Sequence, residues 1–156
     1  MREILFKAKR IDNGKWVEGY YYKMSETTYC FKEDYERKPV PEHHYILQER
    51  ITDWGLPNRI VQIEIDPETL CQFTGLYDKN GKKIWENDIF QYTDEITMIT
   101  NKDLIKYNET HASFVRLHNT GKLGLQYLWI DEAICNHGEV IGNIFDNKEL
   151  LQEKRR

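Results

Sequence analysis

Three acids lie close together in FTGLYDKNGKKIWENDIF, residues 73–90: Asp78, Glu86 and Asp88. Carboxylates at that spacing are the equipment of acid–base hydrolysis or of a divalent-cation site. The same stretch is also rich in turn chemistry. Asp78 can accept hydrogen bonds from amides two residues on and lead into Asn80-Gly81, while Asp88 can cap the next turn and leave Glu86 in solvent. Glycines at 75 and 81 give the backbone freedom where a side chain would clash. Ile84 points inward if Trp85 covers the other face. We adopt the turn reading: Thr74, Gly75, Asp78, Asn80, Gly81, Trp85, Glu86 and Asp88 form a structural motif. A hydrolase with a carboxylate site ranks third among the possible functions.

Zinc is the other chemistry the residue types suggest, through Cys135-Asn136-His137 and the pair His43-His44. A structural zinc site needs four ligands, commonly with Cys-x₂₋₄-Cys spacing, and no such pair occurs here. Adjacent histidines in a strand point to opposite faces. Cys71 and Cys135 read instead as small buried apolar groups. There is no Gly-x-Ser-x-Gly elbow and no glycine-rich phosphate loop. No catalytic residue, cofactor or metal ligand is assigned.

Contacts to nucleic acid are the remaining possibility. Tyr20 and Tyr22, in the run Gly19-Tyr20-Tyr21-Tyr22, could stack bases on a β surface. Lys79, Lys82 and Lys83 around the Asn80-Gly81 turn, with Lys154-Arg155-Arg156 at the end of the sequence, could meet phosphates. The alternative is cross-strand aromatic pairing, a solvated hairpin tip and terminal cations that complement a helix C-terminus. The formal charge of −4 and pI near 5.8 count against a dedicated duplex binder, whose affinity comes from Lys and Arg set against phosphates.

The elements that must position these residues are strands. Ten Tyr, six Phe and four Trp make 13% of the 156 residues, a bias that suits half-buried pleated surfaces. Residues 3–9 alternate, and Asn13-Gly14 then separates them from Trp16 to Tyr22, which predicts an N-terminal hairpin. Thr27 to Phe31 is a possible strand. Lys32 to His44, with Pro39 and Pro41, reads as a loop or edge crossing and not as a helix. Further strands are expected from Ile46, over 59–65 and 70–76, from Ile89, at 113–117, over Leu123 to Ile130 with Leu125, Tyr127 and Trp129 on one face, and over 139–145. Residues 93–111 read as a long loop with a strand at 103–107. Asp146 to Leu151 has the acceptor, glutamate and apolar pair of a short C-terminal helix. The pattern is mostly β, with turn signals at barrel-like spacing. It divides into an N-terminal β-rich lobe, 1–69, and a C-terminal small barrel, 70–156. Three widely spaced cysteines suggest a reducing compartment, and no run is apolar enough for a signal or a membrane span. A soluble, cytoplasmic protein is the expectation.

Three blocks resemble a known family: REILFKAKRIDNGKWVEG, QFTGLYDKNGKKIWENDIF and VIGNIFDNKELL are similar to the YopX family, found mainly in bacteriophages and prophages of Gram-positive bacteria. They span residues 2–151. In the central block Phe73, Thr74, Gly75, Leu76, Asp78, Asn80, Gly81, Ile84, Trp85, Glu86, Asp88 and Ile89 match the family pattern. Asn87 replaces its usual Gly, and Lys148 its frequent Pro. The resemblance implies a β-rich fold with an SH3-like C-terminal barrel, and oligomeric assembly; it implies no catalytic residues. The reading is a phage or prophage protein acting in the cytoplasm of its bacterial host as a non-enzymatic binding or assembly module. Its partners would be further copies of itself or a phage or host protein. A single-stranded nucleic-acid-binding accessory protein is the alternative.

Overall fold

The computed structural model describes residues 3–120 and 124–151. The described residues divide into two compact units, one of 4–70 and one of Glu3 with 71–120 and 124–151. Each is mostly antiparallel β-sheet.

In the first unit, β1 (Phe6–Lys9) and β2 (Trp16–Ser25) form the hairpin that Asn13-Gly14 predicts. Gly14 takes the positive φ of 67° that this turn needs, and Asn13 Oδ1 accepts from Lys15 N at 3.0 Å. The sheet continues through β3 (Glu42–Arg50) and β4 (Arg59–Glu64), in the order β4-β3-β2-β1. Alternation along these strands sends Ala8, Ile46 and Ile65 into the core, with Phe6, Val17, Tyr21 and Leu70 packed around them.

Two expectations for residues 27–44 fail. Thr27 to Phe31 is irregular, because β2 runs on to Ser25 and its partner β3 begins only after Pro41, whose carbonyl accepts from Glu26 N. Lys32–Arg37 is a helix, α1, and not a loop. Its six residues contain no Pro, Gly or β-branched type, and the prolines lie beyond it. Lys38, before Pro39, turns extended at the C-cap as steric clash with the ring requires. Glu33 and Asp34 in the first turn and Arg37 in the last complement the helix dipole. Tyr35 secures it: its hydroxyl accepts from Tyr29 N at 3.1 Å and the two rings meet edge to face.

In the second unit, β5 (Cys71–Tyr77) pairs with β6 (Lys83–Trp85). β7 (Asp88–Thr93), β8 (Thr100–Asn108), β9 (Ser113–Asn119), β10 (Leu125–Trp129) and β11 (Gly138–Asn143) form a sheet in the order β10-β9-β8-β7-β11. β8 is longer than the expected 103–107, since it completes a hairpin with β7 from Thr93↔Thr100 onwards. A short helix, α2 (Glu132–Cys135), was not anticipated; Asp131 caps it by accepting from Ile134 N at 3.0 Å. The expected C-terminal helix is a 3-10 turn, Lys148–Leu151. Gly121, Leu123 and Lys154 to Arg156 lie outside the described residues. The core holds Ile84, Phe90, Ile105, Cys135 and Val140, with Leu76, Tyr92, Ile130 and Ile134 against it.

One close approach fixes the first sheet. A Cβ on Gly19 would lie 2.3 Å from the Leu47 carbonyl oxygen and 2.9 Å from Ile46 Cγ2. A main-chain oxygen inside a ladder cannot step aside. Gly19→Ala is expected to cost about 2–3 kcal/mol by overpacking, measured as a lower midpoint in urea unfolding.

Candidate functional site

The central motif is a set of main-chain restraints. Asp78 is 5% exposed. Its Oδ1 accepts from Asn80 N and Lys82 N, both at 2.9 Å, and its Oδ2 accepts from Val140 N on β11 at 3.0 Å. Burial pushes this carboxyl up, but the amides of Val140, Lys82 and Asn80, with the Lys82 charge, outweigh it and hold the pKa below the ordinary value. Thr74 Oγ1 donates to the Ile84 carbonyl at 2.8 Å and accepts from Leu76 N at 3.1 Å. Between them Gly75 takes φ +89° at the register shift that separates Phe73 from Tyr77. Gly81 takes φ +77° in the next turn. Trp85 is buried against Phe73, with ring centroids 5.4 Å apart, so Ile84 and Trp85 are both covered. Asp88, also buried, accepts from Trp85 N at 2.9 Å. Glu86 is half-buried. Asp78 and Asp88 are thus tied to different turns, and the motif does not assemble them as a catalytic pair.

The three lysines at this turn are engaged as well. Lys79 pairs with Glu139 at 3.2 Å, Lys82 Nζ donates to the Val140 carbonyl at 3.3 Å, and Lys83 lies over the Phe73 and Trp85 rings. Tyr20 and Tyr22 belong to the other unit, on one face of β2, at 59% and 46% exposure.

A cluster that the sequence did not reveal lies on the inner face of the five-stranded sheet. Asp103 on β8 is fully buried; its Oδ2 accepts from Arg116 Nη1 at 2.8 Å and its Oδ1 contacts His118 Nδ1 at 2.6 Å. The Arg116 guanidinium lies 4.7 Å from the centre of the Tyr92 ring, and its Nε donates to the Trp129 carbonyl on β10 at 3.0 Å. Burial, then the Asp103 charge, pushes the Tyr92 hydroxyl up. The i, i+2 spacing of Arg116 and His118 is a legible signal that they share a strand face. Their pairing with Asp103 depends on the β8–β9 register, which is not. An aspartate orienting an imidazole is a familiar general-base arrangement. The nearby thiol of Cys135 is pushed the wrong way for a nucleophile, up to about 11, chiefly by burial and then by Asp131. What the cluster does visibly is tie β7, β8, β9 and β10 together.

On β10 itself, Leu125, Tyr127 and Trp129 share a face, as their alternation predicts, and are 61%, 65% and 66% exposed. The strand is outermost in its sheet.

A family model described as YopX protein matches residues 5–152. The chain belongs to the YopX family. No curated protein matches it. Three chains of solved structures do. One is the crystal structure of protein EF1440 from Enterococcus faecalis, 20% identical with a TM-score of 0.48, over 97% of this chain and 100% of that one.

Both departures from the YopX pattern are accommodated. Asn87 takes φ +66°, the left-handed conformation that the usual Gly would adopt freely. Its side chain adds contacts that Gly cannot: Nδ2 faces Cys71 Sγ at 3.5 Å and Oδ1 accepts from Lys106 Nζ. Lys148 begins the 3-10 turn where the family often has Pro.

The zinc candidates are dispersed. His43 Nδ1 meets Glu64 at 2.8 Å and its Nε2 meets Glu26 at 3.1 Å, whereas His44 Nδ1 meets the Tyr21 hydroxyl at 2.7 Å. His137 lies beside Glu95 at 3.5 Å. Among the described residues no group of three or more such side chains is placed to hold a metal ion.

Two outcomes follow from these geometries. Asp78→Asn should lower stability by about 2–3 kcal/mol, since buried amides lose a charged acceptor. Because the folded pKa is lowered, that stability is full above the ordinary aspartate value of about 3.9 and is lost as pH falls through the folded pKa. An acid-unfolding series on wild type and variant checks both. For His43 the sign is opposite: Glu64, then Glu26, raise its pKa above 6.5. Its contribution is whole below 6.5 and declines as pH rises through the raised value. The melting temperature of wild type should therefore fall more between mildly acidic and mildly alkaline buffer than that of His43→Gln.

Proposed function

We propose that this chain is a non-enzymatic binding or assembly module that serves a phage or prophage in the cytoplasm of its bacterial host. The observation that carries the reading is β10: an outermost strand with Leu125, Tyr127 and Trp129 largely in solvent. Clustered exposed aromatics are more typical of interaction surfaces than of a solitary soluble chain. Two of the three motif acids, Asp78 and Asp88, are bonded to main-chain amides on different turns, which leaves little for a hydrolytic reading. The phage or prophage setting, the SH3-like character of the C-terminal unit and the tendency to assemble draw on the family resemblance. Cys71 and Cys135, buried and in no disulfide, suit a reducing compartment.

Affinity capture from host cells, with and without phage induction, tests the reading. Trp129→Asp should lose the captured partner while its melting temperature stays within about 3 °C of wild type, as for a surface substitution. Absence of any partner, including further copies of the chain, would count against it. A second reading, single-stranded nucleic-acid binding, draws on the exposed Tyr20 and Tyr22 with Lys7 and Lys9, both over the Trp16 ring in the same unit. Fluorescence anisotropy with single-stranded oligonucleotides at low salt discriminates: a salt-sensitive rise, reduced in Tyr20→Ala/Tyr22→Ala, favours the second reading and a flat trace removes it.

A further inference from the structure

We infer that the partner of β10 is the β10 strand of a second copy of this chain, running antiparallel across a twofold axis at Tyr127. The inference rests on the binding-module reading and gives its occupant.

Main-chain parity decides which groups are open. Gly124 O accepts from Thr120 N, and the register pairs Gln126 with His118 and Leu128 with Arg116. Hydrogen-bonded pairs in an antiparallel ladder recur at every second residue. Positions 124, 126 and 128 therefore direct their amides and carbonyls to β9, 125 and 127 direct theirs outwards, and so does the amide of 129, while the Trp129 carbonyl at the strand end turns back to accept from Arg116 Nε. Among the described residues no strand pairs with that outer edge.

The opposite edge of the same sheet is closed. Val140 N on β11 donates to Asp78, Gly138 O accepts from Lys79 N, and Val140 O accepts from Lys82 Nζ. A register shift between Val140 and Gly142 further breaks that edge. Proteins protect edges with such coverings, with bulges, or with charged residues and proline. LQYLW, residues 125–129, has no charge and no proline, and its ladder with β9 runs without a shift.

An unprotected edge still needs a matching occupant, and this one matches itself. Because 127 points outwards, an antiparallel copy can place Tyr127 opposite its own counterpart as a hydrogen-bonded pair. Leu125 then faces Trp129 of the other copy, and Trp129 faces Leu125. All six side chains line one face as aromatic and aliphatic cross-strand pairs, the combination that stabilises sheets. The uncharged strand sets no like charges against each other, although each chain carries −4. Aromatic side chains bury about 150–250 Å² each. At the exposures of these three residues, each copy would cover at most roughly 400 Å² of side chain, a total below the ~1,200 Å² of standard interfaces. The expected complex is therefore a reversible, concentration-dependent dimer.

The test uses the full chain with Cys30→Ser, which removes the exposed thiol. Hydrogen-bonded antiparallel partners sit about 5.5 Å apart at Cα, with Cβ atoms wider than a direct disulfide prefers but close enough for a short bis-thiol reagent to join. With such a reagent Tyr127→Cys should thus give a covalent dimer of twice the 18.8 kDa chain mass, whereas Leu56→Cys, exposed in the other unit, should remain monomeric. Light scattering on wild type should show mass rising with concentration, and Tyr127→Lys should weaken association at least tenfold. If wild type self-associates but Tyr127→Cys does not cross-link and Tyr127→Lys has no effect, the β10 pairing is overturned and the assembly reading survives. If wild type is monomeric at every concentration while Trp129→Asp abolishes capture of a foreign protein, the second copy is overturned and the binding reading survives. Should Tyr127→Lys not fold, the cross-linking result decides alone.

Discussion

The carboxylate of Asp78 is the restraint on which the second unit depends most. One oxygen closes the 78–82 turn through two amides, and the other reaches Val140, 62 residues further along the chain. Burying a carboxylate is expensive unless its oxygens are satisfied, and here three amide donors and a neighbouring lysine satisfy it. The arrangement links a local event, the Asn-Gly turn, to a non-local one, the docking of β11. It also seals one edge of the sheet with the turn itself, so the same acid defines both a hairpin and a boundary. Thr74 and Asp88 act in the same way at shorter range, fixing the bulge before the turn and the tight corner after it.

Readability from sequence followed the range of the interaction. Asn13-Gly14 and Asn80-Gly81 were legible because a positive φ is a property of the residue and its immediate neighbour. The roles of Asp78 and Asp88 towards nearby amides were legible for the same reason, whereas the bond from Asp78 to Val140 was not. The short helix at 32–37 escaped because its support, the Tyr29–Tyr35 contact, lies outside its own six residues. Prolines at 39 and 41 set the helix end at Arg37, and their restriction reaches no further back than Lys38. The buried group of Asp103, Arg116 and His118 depends on which residue faces which across two strands, and periodicity alone does not carry that register. For β10 the shared face of Leu125, Tyr127 and Trp129 was readable, but its exposure was not: the same alternation describes a strand whose apolar side is covered.

The buried cluster and the open strand are parts of one construction. Asp103 anchors Arg116, and Arg116 reaches the Trp129 carbonyl at the end of β10. An outermost strand ordinarily has one ladder to hold it. This one has a ladder and a buried guanidinium, which makes its surface a firm platform. Rigid presentation lowers the ordering cost of association, since less freedom is lost when a partner arrives. The polar interior of the sheet thereby supports the proposed role.

The three thiols differ sharply in their surroundings. Cys71 and Cys135 are buried, the latter with its ionisation suppressed, and Cys30 alone among them meets solvent. Maleimide and iodoacetamide reagents consume thiolate and need access. The native chain therefore offers a single address for a fluorophore or spin label, on the segment between β2 and α1, with no engineering of the core.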